Sequence, residues 1–159
     1  MPMTATASSA RGESTVQEGP FARATSGLTP YAPSILRVFA GVIFVVYGTN
    51  KLASPDGFAG FVGSLGFPAP ELFGWLVIRL ESIGGAALVL GVLVRPVALL
   101  FLIEMTFTSW LVKAPRGIAP AEGSGLEIDL MLWGVAAALI ILGAGRLSID
   151  RDVIGREFI

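Results

Sequence analysis

Four apolar runs, each close to the length of a membrane-crossing helix, constrain this chain more than anything else in it. They span about residues 33–52 (PSILRVFAGVIFVVYGTNKL), 71–94, 97–113 (VALLFLIEMTFTSWLVK) and 126–144 (LEIDLMLWGVAAALIILGA). A helix needs about 20 residues to cross the hydrocarbon of a bilayer, and buried strands are far shorter. Only 14 % of the 159 residues are charged, 53 % are hydrophobic, and the mean hydropathy is +0.75. Too few polar side chains remain to cover a soluble globule. The expected fold is therefore all-α: a four-helix transmembrane bundle over residues 33–145.

The segments around the bundle read differently. Residues 1–32 are rich in Ala, Ser, Thr, Gly and Pro and are expected to be a disordered tail with no secretory h-region. Residues 146–159 read as a cytoplasmic tail. Between the first two runs, Ser54 and Pro55 open a short segment in which Phe58, Phe61, Val62 and Leu65 recur at helical spacing. Gly66 and Pro68 then stop it. This predicts a short amphipathic helix in the first outer loop, lying on the membrane surface. Orientation follows from the flanking cations. With the N-terminus inside, Arg11, Arg23, Arg37, Arg95, Arg146, Arg151 and Arg156 are cytoplasmic, against Lys51, Lys113 and Arg116 outside. That bias places both termini in the cytoplasm.

Several function classes are excluded. The net charge is −1 with no basic stripe, so no nucleic-acid partner is expected. Cysteine and histidine are both absent, which excludes iron–sulfur clusters, His- or Cys-held haem and Cys/His zinc sites. No metal site is expected.

The chemistry lies in charges placed inside the apolar runs. Intramembrane charge costs roughly 2.5–3.5 kcal/mol per residue on insertion scales, and residues near helix ends can snorkel. Lys51, Arg79, Glu81, Glu104, Glu127 and Asp129 all fall in the outer half or middle of the bundle. Arg79 and Glu81 lie on roughly opposite faces of one helix, so each needs a partner elsewhere. Glu81 shares a face with Gly85 and Leu88 and is expected at a close-packed seam. Depth makes Lys51 its base rather than Arg37. The first helix carries Gly41, Phe44 and Gly48 on one stripe, where the glycines admit a close neighbour. With four carboxylates against two cations, Glu81 or Glu104 is expected to hold or share a proton. Nothing flanking Glu104 forms a motif, so it reads first as packing, and Asp129 is expected to reach the outer water. Gly145 is expected to cap the fourth helix.

Arg37, Gly41, Gly48, Lys51-Leu52, the LGFP at Leu65–Pro68, Glu81 with Gly84-Gly85, Leu90-Gly91 with Arg95, Glu127 and the terminal GAGRLSID form an ordered set. In order and spacing it resembles the DoxX family of small four-helix bacterial membrane proteins, over about residues 33–152. The resemblance implies a multi-pass protein of the bacterial cytoplasmic membrane. Members of the family are linked to a quinone-reducing thiosulfate oxidoreductase, and others to membrane complexes handling oxidative and thiol stress. Arg37, Lys51, Glu81 and Glu127 match its recurrent polar positions. Where many relatives carry polar or His residues around the third helix, this chain has EMTFTSWLVKAPRG.

The working reading is a redox-linked membrane component with a quinone as candidate cofactor. Lys51, Glu81 and Glu127 form the candidate catalytic or proton-relay set, and Arg37, Arg79 and Trp75 the candidate cofactor-binding set. Phe58 and Phe61 are candidates to line the entry. Expected partners are the bilayer, a soluble oxidoreductase and a second copy of the chain. The alternatives are a non-enzymatic scaffold for such an oxidoreductase and a small transporter.

Overall fold

The computed structural model describes residues 19–120, 123 and 125–150, and these contain helices and no strand. The readings made for residues 1–18 and 151–159 lie outside the described residues. Six helices follow in order: α1 (Pro20–Ser26), α2 (Ala32–Leu52), α3 (Pro55–Ser64), α4 (Pro70–Leu90), α5 (Val94–Arg116) and α6 (Leu126–Leu142). α1 is short and largely exposed, and it forms where composition alone predicts no structure.

Three stretches are long and apolar enough to cross a membrane: Thr29–Leu52, Pro70–Leu90 and Val94–Arg116, of 24, 21 and 23 residues. α6 has 17 residues. At 1.5 Å per residue it is about 26 Å long, a little under the roughly 30 Å of bilayer hydrocarbon.

α2, α4, α5 and α6 pack side by side, α2 against α4 and α6, and α5 against α4 and α6. At the centre Phe44 of α2 stacks on Phe101 of α5, ring centroids 3.5 Å apart. Leu88, Ala98, Ala136 and Leu139 close the core around them. Large apolar side chains such as Ile35, Phe39, Leu76, Ile103 and Ile141 face outward and exposed. Such a surface is stable only against lipid, so the environment of these helices is a bilayer.

The expected glycine seam joins α2 to α4. A Cβ on Gly41 would sit 2.6 Å from the carbonyl oxygen of Gly85, and one on Gly85 would sit 2.9 Å from that of Gly41. A Cβ on Gly48 would collide with Ser82. Against this contact α4 widens into one π-helical turn, Leu80–Gly84, which carries Glu81.

The helix boundaries differ from the sequence reading in two places. The second run ends at Leu90, and the turn is Gly91–Leu93, not Arg95-Pro96. Pro96 lies in the first turn of α5, where its missing N–H costs no helix hydrogen bond. α6 ends at Leu142, so Gly143 rather than Gly145 is its cap, at φ 75°. Gly145 instead passes close to α2, where a Cβ would lie 2.7 Å from Ser34 Oγ. α3 forms as expected, with Ala59 and Val62 buried against α4. Its N-cap Ser54 makes no side-chain capping bond.

Candidate functional site

The buried charges collect at two opposite ends of the helices. At one end, Arg37 is 3 % exposed and donates only to backbone. Its Nε reaches Ala144 O at 3.0 Å, and its NH1 reaches Leu88 O at 2.7 Å and Val89 O at 2.5 Å. Leu88 and Val89 close α4 and Ala144 lies just past α6, where helix carbonyls run out of intrahelical donors; Leu88 O also accepts from Gly91 N–H at 3.1 Å. The planar guanidinium serves several at once, which a lysine could not. The 143–150 segment folds over the same place. Arg146 N–H donates to Pro30 O, Leu147 N–H to Ser34 Oγ, and Asp150 Oδ2 accepts from Leu93 N–H at 2.7 Å. Leu93 has φ 49°, a conformation that costs a non-glycine residue about 1–3 kcal/mol, and the Asp150 bond holds it. Gly91, at φ 75°, leaves room for Arg37: a Cβ there would stand 2.8 Å from its Cζ. Arg37 and GAGRLSID thus form a clasp tying α2, the α4–α5 turn and the end of α6.

At the other end the charges meet one another. Lys51 Nζ contacts both carboxylate oxygens of Glu81 at 2.5 Å, the expected pairing. Glu81 is 2 % exposed, whereas the Lys51 side chain keeps 25 %. The Nζ lies 5.7 Å from the Tyr47 ring and 5.2 Å from the ring of Phe58, which α3 lays over the pair. That range is favourable for a cation facing an aromatic ring. Glu104 of α5 is 8 % exposed, and its carboxyl lies within hydrogen-bonding reach of that of Glu81. Asp129 of α6 is 6 % exposed and lies near the Thr108 hydroxyl, which itself donates to Glu104 O and Met105 O at 3.2 Å. Tyr47 stands in electrostatic reach of Asp129 and Glu81. The cluster therefore takes one ionisable residue from each of the four packed helices.

Two of its members were not in the candidate set. Glu104 is buried with its carboxyl beside that of Glu81. Asp129 faces inward instead of reaching water. Glu127 turns back along its own helix start, where its Oε1 accepts from Gly125 N–H at 3.1 Å. Three-to-four-residue spacing along α5 and α6 could have found the pair: Glu104 and Thr108 share a face, as do Asp129 and Leu132, and both faces are the buried ones.

The remaining candidates are not brought together. Arg37 belongs to the clasp. Arg79 and Trp75 lie on the exposed side of α4, with the guanidinium 5.8 Å from the Trp75 ring. Arg79 thus meets an aromatic ring on its own helix rather than the acid expected from another. Phe61 is exposed as well.

An apolar groove of about 620 Å³ runs between α2 and α6, lined by residues such as Phe39, Ile43, Val46, Met131 and Leu132. Tyr47 lines it and also borders the charge cluster. The groove is nearly devoid of polar surface along its length, and Tyr47 is the lining residue that carries a hydroxyl.

The DoxX family model matches residues 32–114, a stretch that holds Arg37, Lys51, Glu81 and Glu104. Among curated proteins, the chain is 31 % identical over 116 residues to CatD of Bacillus subtilis, whose name gives it provisionally as an oxidoreductase; the match covers 73 % of this chain and 82 % of CatD. It is 28 % identical over 122 residues to the inner membrane protein YphA of Escherichia coli, covering 74 % and 86 %. An uncharacterized membrane protein of Mycobacterium tuberculosis is 33 % identical over 135 residues, covering 75 % and 80 %. No solved structure matches the chain. With its match to the family model and the relatives it shares that ground with, the chain belongs to the DoxX family of membrane proteins.

Proposed function

We propose that this chain is an integral component of a redox-linked complex in the bacterial cytoplasmic membrane, with all four packed helices crossing the bilayer and both termini in the cytoplasm. The observation that carries the reading is the buried cluster of Lys51, Glu81, Glu104 and Asp129, set beside an apolar groove at Tyr47. The oxidoreductase name of the Bacillus relative and the inner-membrane name of the Escherichia relative agree with it. The excess of arginine at the Arg37 end supports the orientation.

A quinone fits this site. Its carbonyls need hydrogen-bond donors and its tail an apolar channel open to lipid. Tyr47 supplies a donor and the groove a channel. When bound, a quinone would accept electrons and protons from a partner's reaction. Lys51 and Glu81 would hold the protons and charge beside it, the work of general acid–base groups. Arg79 and Trp75, on the outer side of α4, would contribute only to the membrane interface.

The test is purification from native membranes with quinone extraction, followed by quinone-dependent turnover. Glu81→Gln and Lys51→Ala should abolish turnover while leaving insertion intact, and normal turnover in both rejects the site. A second reading is a scaffold for a soluble oxidoreductase. It is favoured by the saturation of Glu81, whose two oxygens are both already engaged by Lys51. Capture of such an enzyme by a chain that binds no quinone would select it.

A further inference from the structure

The Lys51–Glu81 pair is balanced, one cation against one anion. Glu104 upsets that balance. Neither of its carboxyl oxygens receives a hydrogen bond from any donor among the described residues, and both are fully buried. What faces it is the carboxyl of Glu81, from α4. The other charged groups in its reach are Lys51 from α2, already engaged by Glu81, and Asp129 from α6, a third acid. Two ionised carboxylates pressed together in a medium of low dielectric repel strongly, and an unpaired buried charge is expensive. Two carboxyl groups with one proton between them attract, because one donates and the other accepts. A metal ion is the other species that reconciles facing carboxylates, but no group of acids suited to hold one occurs among the described residues.

We propose that Glu81 and Glu104 share a single proton and form a proton-binding site inside the helices. The proton brings the triad of Lys51, Glu81 and Glu104 to zero net charge. Lys51 is the triad member that keeps contact with the surface, under Phe58, so it is the point at which the charge of the site is sensed from outside. Any group that draws Lys51 away from Glu81 leaves both acids without a cation, and the site then binds a second proton. Asp129, near Thr108 and in electrostatic reach of Lys113, is the next acceptor on the neighbouring helix. The inference does not rest on the redox reading, because its test reads the proton itself and not turnover.

The experiment is infrared spectroscopy of the full chain in phosphatidylcholine nanodiscs, following the carbonyl stretch of neutral carboxyl groups across pH. The wild type should show one such band at neutral pH, shifted in D2O and lost on alkalinisation. Glu104→Gln should lose it, because Glu81 is then ionised beside Lys51. Glu81→Gln should also lose it, because Glu104 then takes the lysine. Asp129→Asn should keep it. No band in the wild type overturns the proposal, as does a band that survives in either glutamine variant or vanishes in Asp129→Asn alone. Thermal melting gives a second reading. A proton held in the folded state and released at high pH makes the wild type less stable as pH rises. Glu104→Gln, whose amide donates to Glu81 at every pH, should melt independently of pH over the same range. Equal pH dependence in the two proteins also overturns the proposal.

Discussion

The two ends of this molecule each bury a cation, and they solve the same problem in opposite ways. Arg37 is satisfied by carbonyls of Leu88, Val89 and Ala144, fixed partial charges that cannot leave and cannot change protonation. Lys51 is satisfied by a carboxylate, which can take a proton, and beside it stand two further acids. The hydrogen bonds of the first arrangement hold the helices whatever the protonation state of their acceptors, which are carbonyls. The second can change its charge, because each of its acids can take up or release a proton. The seam of Gly41 and Gly85 lies between them and fixes their separation along α2 and α4.

The comparison breaks most visibly at Arg37. Arg37→Met removes the donor to Val89 O and Ala144 O, each worth roughly 1–3 kcal/mol when left unsatisfied, and one of two donors to Leu88 O, which keeps Gly91 N–H. A loss of about 3–5 kcal/mol is expected, enough to prevent recovery of folded protein at ordinary temperatures. Arg37→Lys should recover only part of it, since an ammonium cannot reach all three carbonyls in the guanidinium plane. Melting in detergent, scored beside Asp150→Ala, checks this. If Arg37→Met melts like the wild type, the clasp is not what joins these helices.

Lys51→Met should cost less, about 1–3 kcal/mol, although it too strips a partner from a buried charge. Breaking a buried pair usually costs about 3–5 kcal/mol because the remaining ion is stranded. Here Glu81 can neutralise itself by taking a proton, so the cost should shrink as pH falls and grow as it rises. Adding Glu81→Gln to Lys51→Met removes the stranded acid and should restore about 1–2 kcal/mol, a coupling within the range found for contacting residues. Arg37→Met has no such rescue at its hydrogen-bond partners, which are carbonyls that cannot take a proton; the acid that can respond to pH at that end is Asp150, in electrostatic reach of Arg37. Equal pH dependence in both variants would erase the distinction between the two ends.

How much of this was readable in advance depends on whether a feature is local in sequence. The lengths of the apolar runs, the glycine stripe and the α3 turn are set by neighbours along the chain, and they could be read. The Lys51–Glu81 pair could be read from depth, because antiparallel helices of similar length put equal depths together. The clasp could not: Arg37 and Ala144 are 107 positions apart, and nothing local marks a carbonyl as an acceptor for a distant guanidinium. The π-helical turn at Leu80–Gly84 is likewise invisible, since it accompanies the close approach to Gly48. At the start of α6 the difficulty was rotational. Glu127 and Asp129 differ by two positions, hence by about 200° around the helix, so one turns to the helix start and the other to the cluster, and spacing alone does not say which.

That exchange gives the next prediction. Asp129→Asn should perturb the cluster, and Glu127→Gln should perturb only the helix start. The amide of the Glu127→Gln variant still offers an oxygen to Gly125 N–H, so its effect on stability should stay within about 0.5 kcal/mol, in keeping with a retained cap. Asp129→Asn removes a buried acid in electrostatic reach of Glu104 while keeping its shape. It should weaken the alkaline loss of stability expected of the wild type. A pH profile altered by Glu127→Gln and untouched by Asp129→Asn would return Glu127 to the site.

The smallest effect is expected at Arg79, and it sharpens the comparison within a single turn of helix. Arg79 and Glu81 are two residues apart and point to opposite sides of α4. Glu81 is buried against α2 and α5, whereas Arg79 lies exposed over Trp75. A cation over an aromatic ring at an exposed site is worth about 0.5–1 kcal/mol. Arg79→Ala should therefore cost no more than that, and it should leave both the infrared band and the pH dependence of melting unchanged. Combined with Glu81→Gln, its effect should simply add, because the two side chains share no partner. A coupling above about 0.5 kcal/mol would mean that Arg79 reaches the cluster in the membrane, through a route that the exposed face of α4 does not offer.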